Sequence, residues 1–431
     1  MGFGGLLELN AQVTFNLDEA VAYAKKNAWT IKTSELDIRD AEEQIREYRA
    51  IGLPQVNGNL DYQRFLELPT SIIPAGSFGP ENPAQDLPVQ FGVNNNINAG
   101  VELNTMLLDG SYFIGLKAIR QYRDLAQKEK KLTEFEIKYA VRDAFYSVLL
   151  AKKALTVLED NISNLEKALE ETRAFYENGF LEKLDVERLE LSLRNLRTDL
   201  KNQERLIQLA KNALKFQINF PQDEEIELKG DLYDYLEDQS LVSDLSSISA
   251  TPERRPEYEL LQANLTLQTL DVKQNKYRRL PKIFGFASYT EQLQGNRVSD
   301  AQWFPNSLIG FNLSVPIFSA WDTQAKINRS QIAYEKVQIQ LSQFQASNEM
   351  EVRNATINMQ QSREILEDRK ASLDQSNDIY DIAQIKFKEG VGSSVELSQA
   401  ERELYNAQGR YIQAVHQLIV AQMELDKALG I

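Results

Sequence analysis

Few residues in this sequence have the type and spacing that catalysis or metal binding requires. The chain has one His and no Cys, so disulfides, thiol catalysis and Cys-ligated zinc are excluded. The single histidine, His416, lies beside the apolar stripe of the last helical segment, where a helix-surface residue is expected. The sequence also lacks a phosphate loop, a metal-ligand spacing and a nucleophile setting. We therefore expect no enzyme, no metal site and no cofactor.

Two carboxylates, Asp185 and Glu396, hold positions from which they could act on ions. Each follows a glycine-containing turn and opens a helical segment. If three chains surrounded a narrow pore, a ring of three identical carboxylates would create a strong local field, select cations and bind divalent ions. The alternative is that both are solvated residues at a helix start, where negative charge interacts favourably with the helix dipole.

The bulk composition limits the partners of the chain. Its 431 residues carry a net charge of −15, which argues against nucleic acid, because such a partner needs a basic face. No apolar run approaches the roughly 18–20 residues of a membrane helix, although this says little about membrane strands. The N-terminal segment MGFGGLLELNAQ is too short and too acidic for a complete secretory signal. It is consistent with an export signal that has been removed.

An internal repeat organises the chain. Residues 27–56 and 254–283 both carry a charged helical pattern that runs into Leu-Pro and then a strand. A second alignment matches 175–193 with 386–404. Each half therefore reads helix, strand, loop, strand, very long helix, glycine turn, helix. The predicted divisions are a first repeat at 1–219, an acidic lateral or equatorial insert at 220–252, and a second repeat at 253–431.

The strand regions are predicted at 54–108 and 281–318, with external loops at 69–90 and 294–306. Residues in the first region alternate between an apolar face and a face rich in Asn and Gln. This alternation fits a transmembrane strand between lipid and a wet lumen, and it also fits an amphipathic sheet packed on helices. The prolines of the first loop predict that it contains no regular ladder.

The helical segments carry most of the length. A first helix is expected from Asn16 or Asp18 to about Arg49. Two very long helices are expected over 111–178 and 321–389, about 100 Å each at 1.5 Å per residue. Both end at a glycine, and a helix of roughly half the length follows, to about Asn219 and Leu429. Apolar residues in these helices alternate spacings of three and four, which indicates coiled-coil packing.

The number of strands suggests an assembly. Four strands cannot close a membrane barrel around an interior, and an open sheet edge is costly in lipid. If the strands are transmembrane, several chains must share one barrel, and three chains would give twelve strands. The long helices would then continue the cylinder as a duct.

In this ordered set of segments the chain resembles the TolC family of outer-membrane efflux proteins. The resemblance covers nearly the whole chain, and no single motif in it is specific. It rests on FNLDEAVAYAKKN at 15–27, Leu-Pro at 53–54 and 280–281, RPEY at 255–258, VPIF at 315–318 and the two glycine turns. It implies a mainly α fold with transmembrane β: a homotrimer whose coiled-coil helices form an α-barrel and whose four strands per chain form a twelve-stranded β-barrel.

The resemblance also implies a function. The chain would be the outer-membrane channel-tunnel of a tripartite efflux or type I secretion system, a passive trimeric duct. It would receive substrates from an inner-membrane pump through a periplasmic adaptor (membrane fusion) protein. Its place would be the bacterial outer membrane, in contact with outer-membrane lipid and with a long periplasmic extension. The cargo, whether drug, metal ion or protein, does not follow from the sequence.

Two sets of site residues carry over from the resemblance. The adaptor-binding tip would comprise Gly179, Phe180, Leu181, Gly390, Val391 and Gly392. The pore constriction or gate would comprise Asp185, Glu396, Gln399, Phe387 and Lys183. Phe387 falls where a gating Tyr sits in the family, and Gly392 falls where an Arg sits. The Arg-to-Asp link that locks the closed state cannot form here. Either Lys183 or Lys388 replaces the Arg, or the gate is looser than in the family.

Two alternatives remain open at this point. A soluble or surface coiled-coil scaffold without a channel would need the heptads but not the Asn-rich alternating strands. A soluble enzyme would need a catalytic constellation that the sequence does not offer.

Overall fold

The structure is a computed structural model that describes residues 13–77, 86–237 and 248–431. They form two compact units, one with the residues up to Ile38, Leu125–Ala263 and Gln338–Ile431, the other with Arg39–Asp124 and Asn264–Val337. Each predicted repeat therefore contributes to both units. The N-terminal segment, the middle of the loop at 69–90 and part of the insert at 220–252 lie outside the described residues.

The helices are dominated by two long hairpins. Within the described residues, seven helices have eleven or more residues, and α5 is short. Their bounds are α1 Leu17–Asn27, α2 Trp29–Ala50, α3 Gly110–Glu177, α4 Lys183–Ile218, α5 Asp234–Glu237, α6 Pro256–Tyr277, α7 Asp322–Lys388 and α8 Ser394–Leu429. We call α3–α4 the first hairpin and α7–α8 the second hairpin. Both lie within one or two residues of the predicted bounds.

No helix in the described ranges combines the length and the apolar character that a membrane crossing needs.

The first helical region was predicted as one helix, and this was wrong. Asn16 caps α1, accepting a hydrogen bond from the Glu19 N–H at 2.8 Å, while the Glu19 carboxylate accepts from the Asn16 N–H. The helix then breaks at Ala28, whose backbone is extended (φ −55°, ψ 143°). The Asn219 side chain donates to the Asn27 carbonyl at 2.8 Å. This contact from the end of α4 satisfies a carbonyl that the break leaves free.

The strands form one four-stranded antiparallel sheet and two small pairs. The sheet has the order β2–β5–β7–β8, with β2 Gln55–Arg64, β5 Asn95–Asp109, β7 Lys282–Gly295 and β8 Gln302–Ser314. Strand β1 (Val13–Phe15) pairs in parallel with β6 (Ile226–Leu228), which comes from the lateral insert. Strands β3 (Thr70–Ile73) and β4 (Leu87–Gln90) form an antiparallel pair.

The register of the large sheet separates a polar from an apolar face in β2 and β5, as the alternation predicted, and does so less cleanly in β7 and β8. Residues that pair across neighbouring strands share a face. One face, which we call the amide face, carries Asn57, Asn59, Asp61, Asn96, Asn98, Glu102, Gln292, Gln294 and Asn306, and in β7 and β8 it also carries Phe284, Phe286, Phe304 and Leu308. The other carries mostly apolar side chains, among them Val56, Leu60, Ile97, Val101, Leu103, Leu293, Ile309 and Phe311.

Both predicted external loops contain more ladder than expected. In the first, Ile72 pairs with Pro88. Each strand of a two-stranded ladder has one edge without a partner, and a proline, which has no N–H, is tolerated there. In the second, the strands extend to Gly295 and from Gln302, so the predicted loop at 294–306 shortens. Pro305 lies within β8, and β8 is an edge strand of this chain's sheet.

The main core of the first unit joins α1, α3, α4 and α8 with the β1–β6 pair. Buried side chains include Phe15, Phe145, Leu214, Ile226 and Val415. Beside this core, the Arg255 of the RPEY motif is 5% exposed. Its guanidinium lies 3.2 Å from Glu351 and 3.1 Å from Glu257, and it stacks on the rings of Phe135 and Phe344. The motif therefore joins α3, α6 and α7.

Candidate functional site

The two hairpins end in the same backbone turn. Gly179 and Gly390 have φ of +80° and +73°, the left-handed conformation that glycine adopts at low cost. The N–H of Gly179 donates to the Tyr176 carbonyl at 2.9 Å, and that of Phe180 donates to Phe175 at 3.0 Å. Gly390 and Val391 repeat the two hydrogen bonds. Each long helix is thus closed by a Schellman motif.

The predicted tip residues divide into exposed and packed ones. Phe180 is 77% exposed and Val391 is 79% exposed, so both turns present a bare apolar side chain. Leu181 instead packs against the apolar cluster of the second hairpin. Gly392 is tightly enclosed, since an added Cβ would lie 2.9 Å from the Lys386 Cβ and 3.0 Å from the Phe387 nitrogen. This turn therefore leaves no room for the Arg that the resemblance places there.

Asp185 is the most connected of the predicted gate residues. Its side chain is 17% exposed. One carboxylate oxygen accepts the Glu182 N–H at 3.1 Å and so caps α4. The other accepts a hydrogen bond from the Ser394 hydroxyl of the second hairpin and lies 3.9 Å from an Arg188 nitrogen. Asp185 therefore joins the two hairpins beside their turns.

The other polar residues predicted at the gate make contacts within one hairpin. Glu396 is 3.3 Å from the Lys386 ammonium, and its N–H donates to the Ser393 hydroxyl at 3.2 Å. Gln399 donates to Glu403 at 3.1 Å. Lys183 pairs with Glu187 at 2.8 Å, and this hydrogen bond raises the pKa of Lys183. These side chains are exposed at the surface of their helices.

Phe387 packs inside the second hairpin. It is 6% exposed and belongs to a cluster with Tyr380, Ala383, Leu397, Ala400 and Leu404. To act as an exposed gate residue, its ring would have to leave this cluster. Lys388, the second candidate to replace the family's Arg, lies 3.2 Å from Glu171 of the first hairpin.

Within each hairpin, the two helices pack through apolar side chains. Near the turns, the contacts between the two hairpins are mainly polar. The first hairpin has its own cluster of Leu165, Leu169, Val186, Leu189 and Leu193. Between hairpins, Asn161 donates to Gln408 at 2.8 Å and Arg188 donates to Ser394 at 3.2 Å. We call this contact, from Gln408 to Ser394 along α8, the seam. Farther from the turns, Ile412, Val415 and Ile419 of α8 join the main apolar core instead.

Sequence reasoning missed the residues that form the seam. Ser394 and Arg188 gave no signal, because their partners are more than two hundred positions away. Glu401 is 2% exposed. In the sequence it follows Ala400 of the apolar heptad pattern, and it does not stand out among the other acidic residues of this helix. Burial raises the pKa of its carboxyl. The only hint is the spacing of Glu401 and Tyr405, which places both on one helix face.

His416 lies on α8 and is half-buried rather than fully exposed. Its Nε2 is buried without a hydrogen-bond partner among the described residues. Burial lowers the pKa of the imidazole, and the nearby Asp143 carboxylate opposes part of that shift. This partial burial arises because α8 is covered by α3 as well as by α7. Within the described ranges, no group of three or more His, Asp or Glu side chains is arranged to hold a metal.

Comparison with known proteins gives one family. The family model described as outer membrane efflux protein matches residues 21–219 and 248–431. The outer membrane efflux protein BepC of Brucella suis biovar 1 (strain 1330) is 20% identical over 435 residues, which cover 99% of this chain and 88% of BepC.

Solved structures share the fold. The outer membrane protein VceC of Vibrio cholerae matches with a TM-score of 0.70 at 15% identity, covering 96% of both chains. The open state of the MtrE outer membrane channel of Neisseria gonorrhoeae matches with a TM-score of 0.73 at 18% identity, covering 96% of this chain and 88% of MtrE. At these identities the likeness concerns the fold.

Proposed function

The chain belongs to the outer membrane efflux protein family, so its place is the outer membrane and its role is efflux, and from this premise we propose that it forms a passive homotrimeric duct. The duct serves a tripartite efflux or type I secretion system. A periplasmic adaptor connects it to an inner-membrane pump, which supplies the energy. The chain itself performs no catalysis in this proposal.

The four-stranded sheet carries the proposal. Strands β2 and β8 are the two edges of the sheet in one chain, and an open edge is costly in lipid. Pairing β2 of one copy with β8 of the next closes twelve strands from three copies. The amide face then lines a wet lumen, and the opposite apolar face meets lipid.

Exposed apolar stripes on the helices support the trimer. On α4, Leu184 and Leu191 are seven residues apart, as are Leu209 and Phe216, and all four are exposed. On α7, Met350 and Ile357 have the same spacing and exposure. A seven-residue apolar repeat is the pattern of a coiled-coil seam. Neighbouring copies of the chain are the partners that would cover these stripes.

The hairpin turns fit an adaptor site. Phe180 and Val391 are bare apolar side chains at the end of each hairpin, and large exposed side chains of this kind mark interaction surfaces. Because Gly179 and Gly390 hold both in the same backbone conformation, the two turns offer an adaptor two similar surfaces. Leu181 and Gly392 shape the turns from inside.

The gate in this proposal is the polar seam beside the turns. Asp185 and Ser394 join the hairpins when the tip is closed, and the duct opens when this contact breaks. Asp185 and Glu396, repeated in three copies, place carboxylates around the entrance. A carboxylate ring favours cations in a narrow pore.

Electron microscopy of the detergent-purified protein tests the proposal. We expect hollow particles with three-fold symmetry. Compact monomers that stay soluble without detergent would overturn it, because the sheet would then be an ordinary amphipathic sheet. Solid three-fold rods would favour a coiled-coil scaffold instead.

A further inference from the structure

A buried carboxylate lies in the seam between the hairpins. Glu401 of α8 is 2% exposed, and its Oε1 is 2.7 Å from the Tyr405 hydroxyl. The same hydroxyl is 3.3 Å from the Asn161 backbone carbonyl of α3. Tyr405 thus stands between an acid of the second hairpin and a carbonyl of the first.

The hydroxyl of Tyr405 has one proton and faces two acceptors. A phenol donates one hydrogen bond and can accept another. If Glu401 is neutral, its O–H donates to Tyr405, and Tyr405 donates to the Asn161 carbonyl. If Glu401 is ionised, it accepts the Tyr405 proton, and the carbonyl across the seam loses its donor. Only the neutral acid completes the chain of hydrogen bonds between the hairpins.

The surroundings of Glu401 favour the neutral acid. On its own helix it faces Tyr405 and, one residue away, Arg402, whose side chain is exposed. From α7 it faces Tyr380, and the charges near that hydroxyl are the acids Asp381 and Glu171. Arg402 is the one cation that acts on Glu401 among the described residues. An ionised carboxylate with so little compensation is costly to bury.

We propose that Glu401, Tyr405 and the Asn161 carbonyl form a proton-linked bridge that holds the seam packed when Glu401 is neutral and releases it when Glu401 ionises. This inference rests on the proposed function, in which the hairpins part beside the turns. It adds that Glu401, which is not one of the predicted constriction residues, controls this movement through its protonation.

The direction of the pH effect follows from burial. The pKa of Glu401 is raised in the packed seam relative to a solvated carboxyl, whose pKa is about 4.3. The bridge therefore stabilises the packed state fully below that ordinary pKa. Its contribution is lost as pH rises through the raised pKa. Each pKa unit between the two states changes the ratio of parted to packed seam by up to about tenfold.

Spin labels across the seam measure this ratio directly. The chain has no Cys, so Glu171→Cys with Lys388→Cys provides one labelled pair, at the cost of an exposed ion pair of 3.2 Å. Labelled chains are diluted with unlabelled ones in the purified assembly. We expect the longer label distance to gain population between about pH 4.5 and about pH 8.

Three variants decide the interpretation. Glu401→Gln mimics the neutral acid, since its amide can donate to Tyr405, and should stay packed at both pH values. Tyr405→Phe removes the bridging hydroxyl and should raise the parted population at low pH above that of the unchanged chain. Glu403→Gln, an exposed neighbour, should respond as the unchanged chain does. The inference is wrong if pH has no effect, if Glu401→Gln responds equally, if Tyr405→Phe has no effect at low pH, or if Glu403→Gln abolishes the response.

The readout separates this inference from the proposed function. Label distances do not depend on transport or conductance. A chain that shows the pH response but forms no conducting duct would overturn the proposed function and leave the bridge standing. A conducting duct without the pH response would support the proposed function and overturn the proton-linked bridge.

Discussion

The Ser394 hydroxyl at the start of α8 donates a hydrogen bond to the Asp185 carboxylate at the start of α4. The other oxygen of Asp185 accepts the Glu182 N–H at 3.1 Å. One carboxylate therefore caps its own helix and joins its hairpin to the other. Because the two roles use different oxygens, substitution can separate them.

Removal of the link should loosen the tip without uncapping α4. Ser394→Ala deletes the hydrogen bond to Asp185 and leaves the Glu182 contact in place. A hydrogen bond to a charged group contributes about 1.5–3 kcal/mol, so the open population should rise by about tenfold or more. Recordings of single channels in planar bilayers measure that population. Ser372→Ala, whose hydroxyl bonds only within α7, is the matched control, and equal opening of both variants would contradict the gate.

The carboxylates beside the turns should contribute to cation preference. Asp185→Ala with Glu396→Ala removes two negative charges per chain from the proposed entrance. The ratio of cation to anion permeability, obtained from reversal potentials in a salt gradient, should fall, most clearly at low ionic strength, where screening is weak. Glu187→Ala, which removes an exposed acid paired with Lys183, should change the ratio less. Unchanged selectivity in the double variant would place neither acid at the constriction.

Two glycines of similar exposure should respond to alanine in opposite directions. At Gly179 an added Cβ meets nothing within 4 Å, but φ is +80°, so Gly179→Ala should destabilise the turn by about 1–2 kcal/mol. At Gly409, inside α8, a Cβ also meets nothing within 4 Å. There the helical backbone suits alanine, and Gly409→Ala should stabilise by about 0.5–1 kcal/mol. Thermal unfolding in detergent compares them, and destabilisation by Gly409→Ala would contradict the helix geometry.

Local signals in the sequence predicted most of the fold. The long hairpins, the glycine turns and the two faces of the sheet all follow from periodicity over neighbouring residues, and the structure confirms them. The break at Ala28 was missed because no Pro or Gly marks it; Asn219, from the far end of α4, supports it. The β3–β4 pair was missed because the prolines in this loop were expected to prevent a regular ladder. Both strands of this pair have a free edge, where proline is tolerated.

The candidate site was harder to predict than the fold. Asp185 was identified by resemblance, but its contact with Ser394 spans 209 residues of sequence, and no local pattern encodes it. Phe387 was expected at a pore, whereas in this chain it completes an apolar cluster. A stripe pattern identifies the apolar residues of a helix but not which neighbouring helix covers them.

Arg255 should be important for stability rather than transport. Its buried guanidinium contacts Glu257 and Glu351 and stacks on two phenylalanine rings. Arg255→Ala leaves these acids without their partner. Because the Glu257 and Glu351 side chains are 24% and 46% exposed, the cost should lie below the about 3–5 kcal/mol of a fully buried pair. Arg255→Lys keeps the charge but loses the planar stacking, so the loss should be smaller. Thermal unfolding measures both, and Arg254→Ala, at an exposed neighbouring side chain, should have little effect. Equal unfolding temperatures for all three variants would contradict this role.

His416 should make the fold less stable in acid. Burial lowers the pKa of this imidazole below its usual value, so in acid the unfolded chain binds a proton that the folded chain resists. The free energy of unfolding therefore falls as pH drops through the ordinary histidine pKa of about 6.5 toward the lowered one. The effect is absent above this range.

Substitution isolates this contribution, because the chain has one histidine. His416→Gln removes the titrating group and should reduce the loss of unfolding temperature between about pH 7.5 and about pH 5.5. Asp143→Asn removes the carboxylate that partly offsets the shift, so it should lower the pKa of His416 further and steepen the loss. Thermal scans of the three proteins at both pH values measure this. An unchanged pH dependence in His416→Gln would assign the acid sensitivity to other groups.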